Sequence, residues 1–366
     1  MKVKIGDICT LKSGISLKDD VLNMSDGIPY VKVSDMNLLG NEKYIVCANS
    51  YANEVISSKM LFPVGTVLFP KRGGAIGTNK KRIASKVVCA DLNTMGVIPS
   101  EKIRPLYLYY YFQNIDFGTL YNGSSVPQIN NTDIAPMEIE LFSLEKQDEI
   151  VGLLEKVDLI IRRRKEELSA LDNLIKARFV EMFGFPGTDE KGWGLRPLGE
   201  CCEINPKKVS DKRLASDMQV SFVPMTAVSE NGEIKTTKKK TYDEVKVGFT
   251  YFAENDVLFA KITPCMENGK GAVAVGLCNG IGFGSTEFHV LRPLTGRSNP
   301  YWLYSLISFD TFRKDAAANM TGSAGQRRVP VMFLEKYKIT LPPMELQNQF
   351  ADFVNQVNKS KFVHLT

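Results

Sequence analysis

The sequence predicts an α+β protein made of two similar α/β domains, each followed by a long helix, with the helices forming an antiparallel coiled coil. Three observations predict it: an internal repeat, short β-rich runs within each copy, and a heptad pattern after the first copy. The repeat is an ordered series of matches offset by 190 residues at Val67 and Val257 and by 200 at Leu141 and Leu341. Such an ordered series indicates duplication of a whole domain.

The matches span each copy from its start to the helix that follows it. They pair Gly6 with Gly199, Val67–Phe69 with Val257–Phe259, Pro105–Tyr109 with Pro300–Tyr304, Gly123-Ser124 with Gly322-Ser323, and Leu141, Glu145 and Gln147 with Leu341, Glu345 and Gln347. The length of 366 residues allows two domains, each with its own core. We predict domains at 1–142 and 185–341 and helices at 143–184 and 342–366. The repeat implies that the two similar domains have similar functions.

The first domain has the pattern of short strands joined by turns. Runs rich in β-branched and apolar residues at 28–33, 67–69 and 87–89 are bounded by Gly, Pro, Asn and Asp. A helix is predicted over 106–112, where aromatic residues crowd together. We assign that aromatic run to the core rather than to a platform for stacking bases. The second domain repeats the pattern.

The segment from Leu144 to about Phe183 is predicted to be one long helix, about 60 Å in length at ~1.5 Å per residue. It contains no proline, and its apolar residues alternate steps of four and three, which is the heptad pattern of a coiled coil. The predicted seam is Ile150, Leu154, Val157, Ile161, Arg164, Leu168, Leu171, Ile175, Arg178 and Met182. A seam of this kind needs a partner helix.

The repeat supplies that partner. After Pro342-Pro343, a helix from Met344 to about Lys361 carries Leu346, Phe350, Phe353, Val354 and Val357 on one face. We expect the two helices to pack antiparallel. At the offset of 200, the counterpart of Phe183 falls at position 383, 17 residues beyond Thr366 (383 − 366). We therefore expect either 168–182 or the opposite end of the seam to lack an internal partner. Either another chain covers that end, or the coding sequence was truncated or recombined.

Local charge is more informative than the net charge of +5. In the first copy Lys71, Arg72, Lys80, Lys81 and Arg82, with Asn79, surround a glycine-rich turn at 73–77 that indicates positive φ rather than a nucleotide cradle. In the second copy Lys238, Lys239 and Lys240 are predicted to lie on an exposed loop, and Gln326, Arg327 and Arg328 follow a Gly-Ser turn.

Several kinds of catalytic and cofactor site are missing from the sequence. It has no phosphate-binding Gly-x-x-x-x-Gly-Lys-Ser/Thr loop and no Asn/Asp-Pro-Pro-aromatic tetrad of an amino-methyltransferase. Seven cysteines without paired spacing and two histidines, His289 and His364, predict reduced thiols and no metal site. With no long apolar run and no signal-peptide pattern, we expect a cytoplasmic protein without membrane contact.

Several motifs together resemble the DNA specificity subunit of type I restriction-modification systems. They are Ile5-Gly6-Asp7-Ile8, Ser13-Gly14, Gly27–Val31, Gly65–Phe69, Gly123–Ile129, Val157–Ile160, Met182–Gly184 and Leu341-Pro342-Pro343 with Glu345 and Gln347. The resemblance covers essentially the whole chain. It implies a non-catalytic subunit whose two target-recognition domains each bind one half of a bipartite site on double-stranded DNA.

The resemblance also implies a set of partners. The helices would fix the spacing between half-sites and dock two methyltransferase subunits, which use S-adenosylmethionine, while restriction motor subunits use ATP and magnesium. This chain would then hold no cofactor. Docking and helix pairing are expected at Ile150, Leu154, Val157, Ile161, Leu168, Leu171, Ile175, Met182, Phe350, Phe353 and Val357, with self-association through the incompletely paired helix as another possibility.

Candidate DNA-binding residues are those whose side chains neutralise phosphates or read base edges. They are Lys71, Arg72, Asn79, Lys80, Lys81, Arg82 and Gln128 in the first domain, and Lys238, Lys239, Lys240, Lys261, Lys270, Gln326, Arg327 and Arg328 in the second. We single out Gln128 and Gln326 because each follows a Gly-Ser turn at the matching point of its repeat.

Two other functions are compatible with parts of the pattern. A two-headed adaptor would use the coiled coil to oligomerise and the domains to bind proteins, and it predicts that no DNA duplex is retained. A self-contained adenine methyltransferase or nuclease needs the tetrad and cofactor loop that are missing from the sequence.

Overall fold

The computed structural model describes residues 1–52, 58–120, 126–208, 215–235, 238–323 and 325–362, which form two compact units, 1–163 and 164–366. The boundary between the units lies within the long helix. Gly123-Ser124-Ser125 and His364 lie outside the described residues. Among the described helices, none is long and apolar enough to cross a membrane.

The first unit contains eleven described strands and three short helices before the long helix. The strands are β1 (Lys2–Lys4), β2 (Cys9–Ser13), β3 (Leu22–Asn23), β4 (Ile28–Val31), β5 (Tyr44–Ile45), β6 (Tyr51–Ala52), β7 (Val67–Pro70), β8 (Arg82–Ala84), β9 (Cys89–Ala90), β10 (Thr94–Pro99) and β11 (Glu138–Glu140). The helices are α1 (Ile5–Ile8), α2 (Pro105–Gln113), α3 (Asn131–Ile134) and α4 (Leu144–Phe183).

Two sheets organise this unit, and β1 pairs separately with β11. One sheet has the order β2-β10-β7-β8-β5 and the other β3-β6-β4-β9. Helix α2 covers the larger sheet, with Pro105 in the first turn, where its missing N–H costs nothing. Leu108 and Phe112 of α2 pack against Phe69 of β7 in the core. The aromatic run is therefore part of the core, as predicted.

The second unit repeats this plan. Its strands are β12 (Leu195–Pro197), β13 (Cys202–Ile204), β14 (Gln219–Val223), β15 (Lys238–Thr241), β16 (Thr250–Ala253), β17 (Val257–Ala260), β18 (Gly271–Val273), β19 (Ile281–Gly284), β20 (Phe288–Pro293) and β21 (Lys338–Thr340). Its helices are α5 (Tyr242–Val245), α6 (Pro300–Ile307), α7 (Asp310–Ala318), α8 (Val331–Lys336) and α9 (Met344–Phe362). The sheet orders are β13-β20-β17-β18 and β15-β14-β19-β16.

The long helices agree closely with the prediction: α4 covers Leu144–Phe183 and α9 covers Met344–Phe362. Within the second unit α9 runs antiparallel to the end of α4. The ring of Phe350 lies 5.5 Å from that of Phe179, and farther along α9 the Lys361 Nζ lies 2.6 Å from Asp172. The antiparallel arrangement is thus confirmed for this part of the helix.

The predicted seam holds only in part. Leu168, Leu171, Ile175 and Met182 are half-buried, while the deepest contacts are made by Phe179 and Phe183, which the heptad assignment omitted. These rings enter the core of the second unit, so the domain, rather than a regular coiled coil, determines the packing there.

Near the start of α4, large apolar side chains are exposed in the described structure. Leu153, Val157 and Ile160 are 63%, 50% and 66% exposed, and Leu154, Leu159 and Ile161 are exposed as well. Of the two ends expected to lack an internal partner, it is therefore the N-terminal one. We call residues 153–161 the exposed apolar stretch.

A buried glutamine attaches α4 to the first domain. The Gln147 Oε1 accepts a hydrogen bond of 2.8 Å from the backbone N–H of Arg104, which precedes α2. Its Nε2 donates to the carbonyl oxygens of Lys102 and Phe142 at 3.1 and 3.0 Å. One amide therefore holds together the end of β11, the start of α2 and the first turn of α4.

The same joint recurs at the start of α9. The Gln347 Oε1 accepts from the Asn299 N–H at 2.8 Å, and its Nε2 donates to the carbonyls of Arg297 and Pro342 at 2.9 and 2.8 Å. Both glutamine side chains are completely buried. The repeat of Gln147 and Gln347 seen in the sequence is therefore a repeated attachment of helix to domain.

Candidate nucleic-acid interface

A short glycine-rich loop follows the central strand β7 of the first unit. Residues 73–78 form a 3₁₀ turn that starts with Gly73 at φ 72°, and a Cβ added to Gly73, Gly74 or Gly77 would meet no atom within 4 Å. Of these three glycines only Gly73 has positive φ, so that part of the prediction is wrong for the other two. The loop is open to an approaching ligand.

A second segment, 126–130, runs alongside this loop. The Gly73 N–H donates to the Pro127 carbonyl and the Ile129 N–H to the Lys71 carbonyl, each at 2.8 Å, so that Arg72 and Gln128 face each other in a β-bridge. We call residues 71–80 and 126–130 the first loop pair. It brings together five of the seven residues predicted for this domain.

The side chains of the first loop pair bond neutral groups in the described part of the chain. The Arg72 Nη2 donates to the Gln128 Oε1 at 3.2 Å, and the Gln128 Nε2 donates to Asn130 at 2.6 Å. The Lys71 Nζ donates to the Ser13 hydroxyl at 2.7 Å, and Lys80 bonds the amide oxygen of Asn37. The positive charges of this loop pair therefore stay available to an anion.

Lys81 does not fit its predicted role in DNA binding, because its side chain is completely buried. Its Nζ donates to the Asn79 Oδ1 at 2.6 Å and to the Ile115 carbonyl at 2.7 Å, and it lies 4.4 Å from the centre of the Phe117 ring. Burial lowers the pKa of Lys81 to about 8. Lys81 stabilises the unit from inside and is not accessible to phosphate.

Asn79 and Arg82 are also tied to the protein. Asn79 has φ 53° at the end of the 3₁₀ turn, and its Oδ1 accepts from the Phe117 N–H at 2.9 Å. The half-buried Arg82 donates through Nη2 to the Met36 carbonyl at 2.9 Å, and burial lowers its pKa. Both side chains have structural roles that the cation cluster in the sequence did not reveal.

The second unit has an equivalent loop pair, residues 261–270 and 326–330. The Val329 N–H donates to the Lys261 carbonyl at 2.9 Å, as that of Ile129 does to Lys71, and Ile262 faces Arg328 in the β-bridge. The counterpart of Gln128 is therefore Arg328, and the predicted match with Gln326 is wrong. The second copy has one more residue between its Gly-Ser turn and the bridge, which sequence spacing alone did not show.

Carboxylates accompany the arginines of the second loop pair. The Arg328 Nε and Nη2 donate to the two carboxylate oxygens of Glu287 at 2.9 and 2.8 Å, and the Arg327 Nη2 donates to Glu267 at 3.1 Å. The bond from Arg328 holds the pKa of Glu287 below its usual range. Neither glutamate is among the residues predicted from the sequence, because the contacts Glu287–Arg328 and Glu267–Arg327 join residues 41 and 60 positions apart.

Two lysines of the second loop pair are less free than predicted. Burial lowers the pKa of Lys261, which lies beside Glu287 and Arg328. The Lys270 Nζ lies 3.5 Å from the Met225 carbonyl. Both side chains are half-buried, as are those of Arg327 and Arg328.

Lys238, Lys239 and Lys240 lie on strand β15 rather than on the predicted loop. β15 is the edge strand of its sheet and pairs with β14, where Lys238 faces Phe222. The Lys240 Nζ lies 4.9 Å from the centre of the Phe222 ring. Lysines on an exposed edge also discourage pairing with other chains, so their position has a structural explanation besides DNA binding.

The comparison with protein families adds to this geometry. The family model described as type I restriction modification DNA specificity domain matches residues 1–170 and 190–363, once for each unit. The chain belongs to this family. The resemblance found in the sequence is thereby confirmed.

Individual members of the type I specificity family are similar to parts or most of the chain. The specificity subunits of the type I restriction enzymes EcoAI and EcoEI of Escherichia coli are 43% identical over 161 residues and 34% identical over 224 residues, which are 43% and 60% of this chain. The matches span only 26% and 34% of those two relatives. The MjaIX specificity subunit of Methanocaldococcus jannaschii is 25% identical over 96% of this chain and 85% of its own length.

A solved structure of the type I specificity family has the same fold. The S subunit of a type I restriction-modification system from M. genitalium superposes with a TM-score of 0.51 at 13% identity, covering 99% of this chain and 90% of that one. This likeness supports the predicted α+β architecture with two domains and long helices.

Among the described residues, no cluster of three or more His, Cys, Asp or Glu side chains could hold a metal ion.

Proposed function

We propose that this chain is a non-catalytic specificity subunit that recognises a bipartite target on double-stranded DNA, one half through each unit. The observation that carries the proposal is the recurrence of one backbone arrangement, the loop pair, in both copies of a family domain. Each loop pair presents an arginine at its β-bridge, and in the first unit the adjoining glycine-rich loop is open. Lysine and arginine neutralise phosphates, and arginine, glutamine and asparagine read base edges in the major groove.

We further propose that the chain directs enzymes rather than acting as one. Two methyltransferase subunits using S-adenosylmethionine, and restriction motor subunits using ATP and magnesium, would supply the chemistry, and this chain would bind no cofactor. The exposed apolar stretch of α4 is the proposed docking surface for a methyltransferase subunit, because six large apolar side chains are accessible there. A cytoplasmic location follows from this role.

The test is retention of DNA by the chain co-purified with its methyltransferase subunit. A pool of randomised duplexes should yield two short conserved blocks separated by a spacer of fixed length. Lys80→Ala and Arg327→Ala should each weaken retention and reduce the slope of log affinity against log salt by roughly one for each phosphate that is no longer neutralised. Lys314→Ala, which removes an exposed charge on α7, is the matched control.

Two results would contradict the proposal. One is a complex that assembles normally yet retains no duplex at low salt, which favours the protein-binding adaptor. The other is a salt dependence that Lys80→Ala and Arg327→Ala leave unchanged, which removes both residues from the interface.

A further inference from the structure

Each loop pair carries one arginine at its β-bridge, but the two arginines come from opposite strands of that bridge. In the first unit Arg72 faces Gln128, and in the second Ile262 faces Arg328. The two units thus each place an arginine at the same β-bridge of the same backbone arrangement, on opposite strands. This equivalence is not visible in the sequence, because Arg72 aligns with Ile262 and Arg328 aligns with Gln128.

Some N–H groups of the Arg328 guanidinium are bonded within the protein, and the others can bind a ligand. Of its five N–H groups, Nε and one on Nη2 bind Glu287, and one on Nη1 donates to the Gln326 carbonyl at 3.1 Å. One N–H on Nη1 and one on Nη2 remain. The side chain is 42% exposed, so a ligand can reach these donors.

Arg72 is held in a related way by an amide. Its Nε and Nη2 lie 3.4 and 3.2 Å from the Gln128 Oε1, and Gln128 is itself fixed by its bond to Asn130. Among the described residues these are the side-chain bonds that Arg72 makes, so both N–H groups of Nη1 remain for a ligand. Arg72 is exposed.

We propose that Arg72 and Arg328 each read one guanine in the major groove, with Gln128 and Glu287 as their positioning residues. Guanine presents two acceptors, O6 and N7, which a fork of two N–H donors matches, and this is the commonest specific contact of arginine. The rigid planar fork also distinguishes arginine from the lysines of the loop pairs. This inference rests on the proposed function.

Neighbouring cations do not share this arrangement. Arg327 occupies the position of Pro127 in the first unit, because Thr263 donates to the Arg327 carbonyl as Gly73 does to that of Pro127. Lys80 and Lys270 align with each other but offer a point charge without a fork. Arg72 and Arg328 are thus the arginines at the shared bridge position.

The test uses the chain co-purified with its methyltransferase subunit and a pool of randomised duplexes, sequenced after retention. Arg72→Ala should lower the preference for guanine at one position of one conserved block roughly 10- to 100-fold and leave the other block unchanged. Arg328→Ala should do the same in the other block. Arg72→Lys and Arg328→Lys keep the charge and should lose the preference as well.

Positioning is tested separately from charge. Glu287→Gln removes a negative charge near DNA, so a purely electrostatic role predicts stronger retention with the same guanine preference. The proposal predicts a weaker guanine preference at the Arg328 position. The double variant Ile262→Arg with Arg328→Gln rebuilds the arrangement of the first unit and should recover the preference that Arg328→Gln alone loses.

The outcomes are distinguishable. Arg196→Ala, an exposed arginine on β12, should leave both blocks unchanged. If the unaltered chain gives two conserved blocks and both alanine variants give the same blocks, the inference is wrong while the proposed function stands. If the unaltered complex retains no duplex, both fall together. Thermal unfolding of each variant shows whether a lost preference reflects unfolding, and Arg72→Lys and Arg328→Lys then decide the question with the charge kept.

Discussion

The two units place different chemistry at equivalent positions of the same backbone. Where the first unit has hydroxyl, amide and apolar groups, the second has ion pairs. The equivalent positions are Thr66 and Ile98 against Asp256 and Arg292, Asn93 and Gln128 against Glu287 and Arg328, and Gly77 and Pro127 against Glu267 and Arg327. A duplicated framework can thus keep its hydrogen-bonded register while neutral pairs at several positions are replaced by ion pairs.

The difference also affects the charge available to DNA. The cations of the first loop pair bond neutral oxygens, whereas Arg327 and Arg328 face carboxylates. Nearby carboxylates offset the attraction to phosphate but orient the guanidinium. The guanidinium of Arg72 is therefore oriented by a neutral amide, and those of Arg327 and Arg328 are oriented by carboxylates that offset part of their charge.

A second difference concerns the side of each domain that faces its long helix. In the first unit the Lys43 Nζ donates to the Tyr110 hydroxyl at 3.0 Å, and that hydroxyl donates to Asp158 of α4 at 2.7 Å. In the second unit the counterpart of Tyr110 is Ser305, which lines a cavity of about 520 Å³ together with residues of α4 and α9.

The greatest loss of stability is expected where α9 packs into the core of the second unit. Phe350→Ala removes a completely buried ring between Phe179 and Phe183 and should cost about 3–5 kcal/mol of unfolding free energy. The counterpart Ile150 is half-buried, so Ile150→Ala should cost clearly less. Urea denaturation of the full chain measures both. Equal losses would mean that the start of α4 is as well covered as α9.

A somewhat smaller effect is expected from the buried ion pair of the second unit. The Asp256 carboxylate binds the Arg292 guanidinium at 2.8 and 2.7 Å, and Asp256 is almost completely buried. Asp256→Ala should cost about 3 kcal/mol, because it leaves the cation without its partner. At the matching position Thr66→Ala loses a hydroxyl bond to a carbonyl and should cost about 1 kcal/mol. Similar losses in thermal or urea unfolding would show that charge makes no difference here.

The third prediction concerns how the free energy of unfolding depends on pH through Lys81. Its pKa is about 8 in the folded chain against 10.5 for an unburied lysine. Below pH 8 the side chain is charged in both states and the burial penalty is complete. Between about pH 8 and 10.5 the unfolded chain binds more protons, so stability should rise with pH, by about 1.4 kcal/mol per pH unit at most.

Lys81→Met provides the comparison for this prediction. The difference in unfolding free energy between the original chain and the variant, measured by urea denaturation from pH 7 to 10, should change in favour of the original as pH rises. Other groups titrate in both proteins and cancel. A constant difference would show that Lys81 titrates normally in the folded chain.

The parts of the fold predicted well are those encoded locally. The bounds of α4 and α9 follow from apolar spacing and from Pro342-Pro343, and the aromatic run of α2 lies in the core as its composition indicates. Phe179 and Phe183 were missed because their burial depends on the second domain, which the heptad pattern does not describe.

The interface was predicted less well because its contacts join distant residues. Lys80 and Lys81 are adjacent in one cation cluster, yet one lies at the surface and the other points inward, as strand β8 begins. Glu287 and Arg328 are 41 residues apart, and nothing in either segment indicates their bond. The repeat contained part of the missing information, since Gly271 replaces Lys81 and shows that this position needs no charge.

The buried amides of Gln147 and Gln347 have a mechanical consequence. Each sits at the pivot between a compact domain and a helix, and α4 is 40 residues long, about 60 Å. A rotation of about 5° at the pivot moves the far end of such a lever by roughly 5 Å, which exceeds the ~3.4 Å rise of a base pair. The three hydrogen bonds of each glutamine therefore act where a small rotation would displace the far end of the helix most.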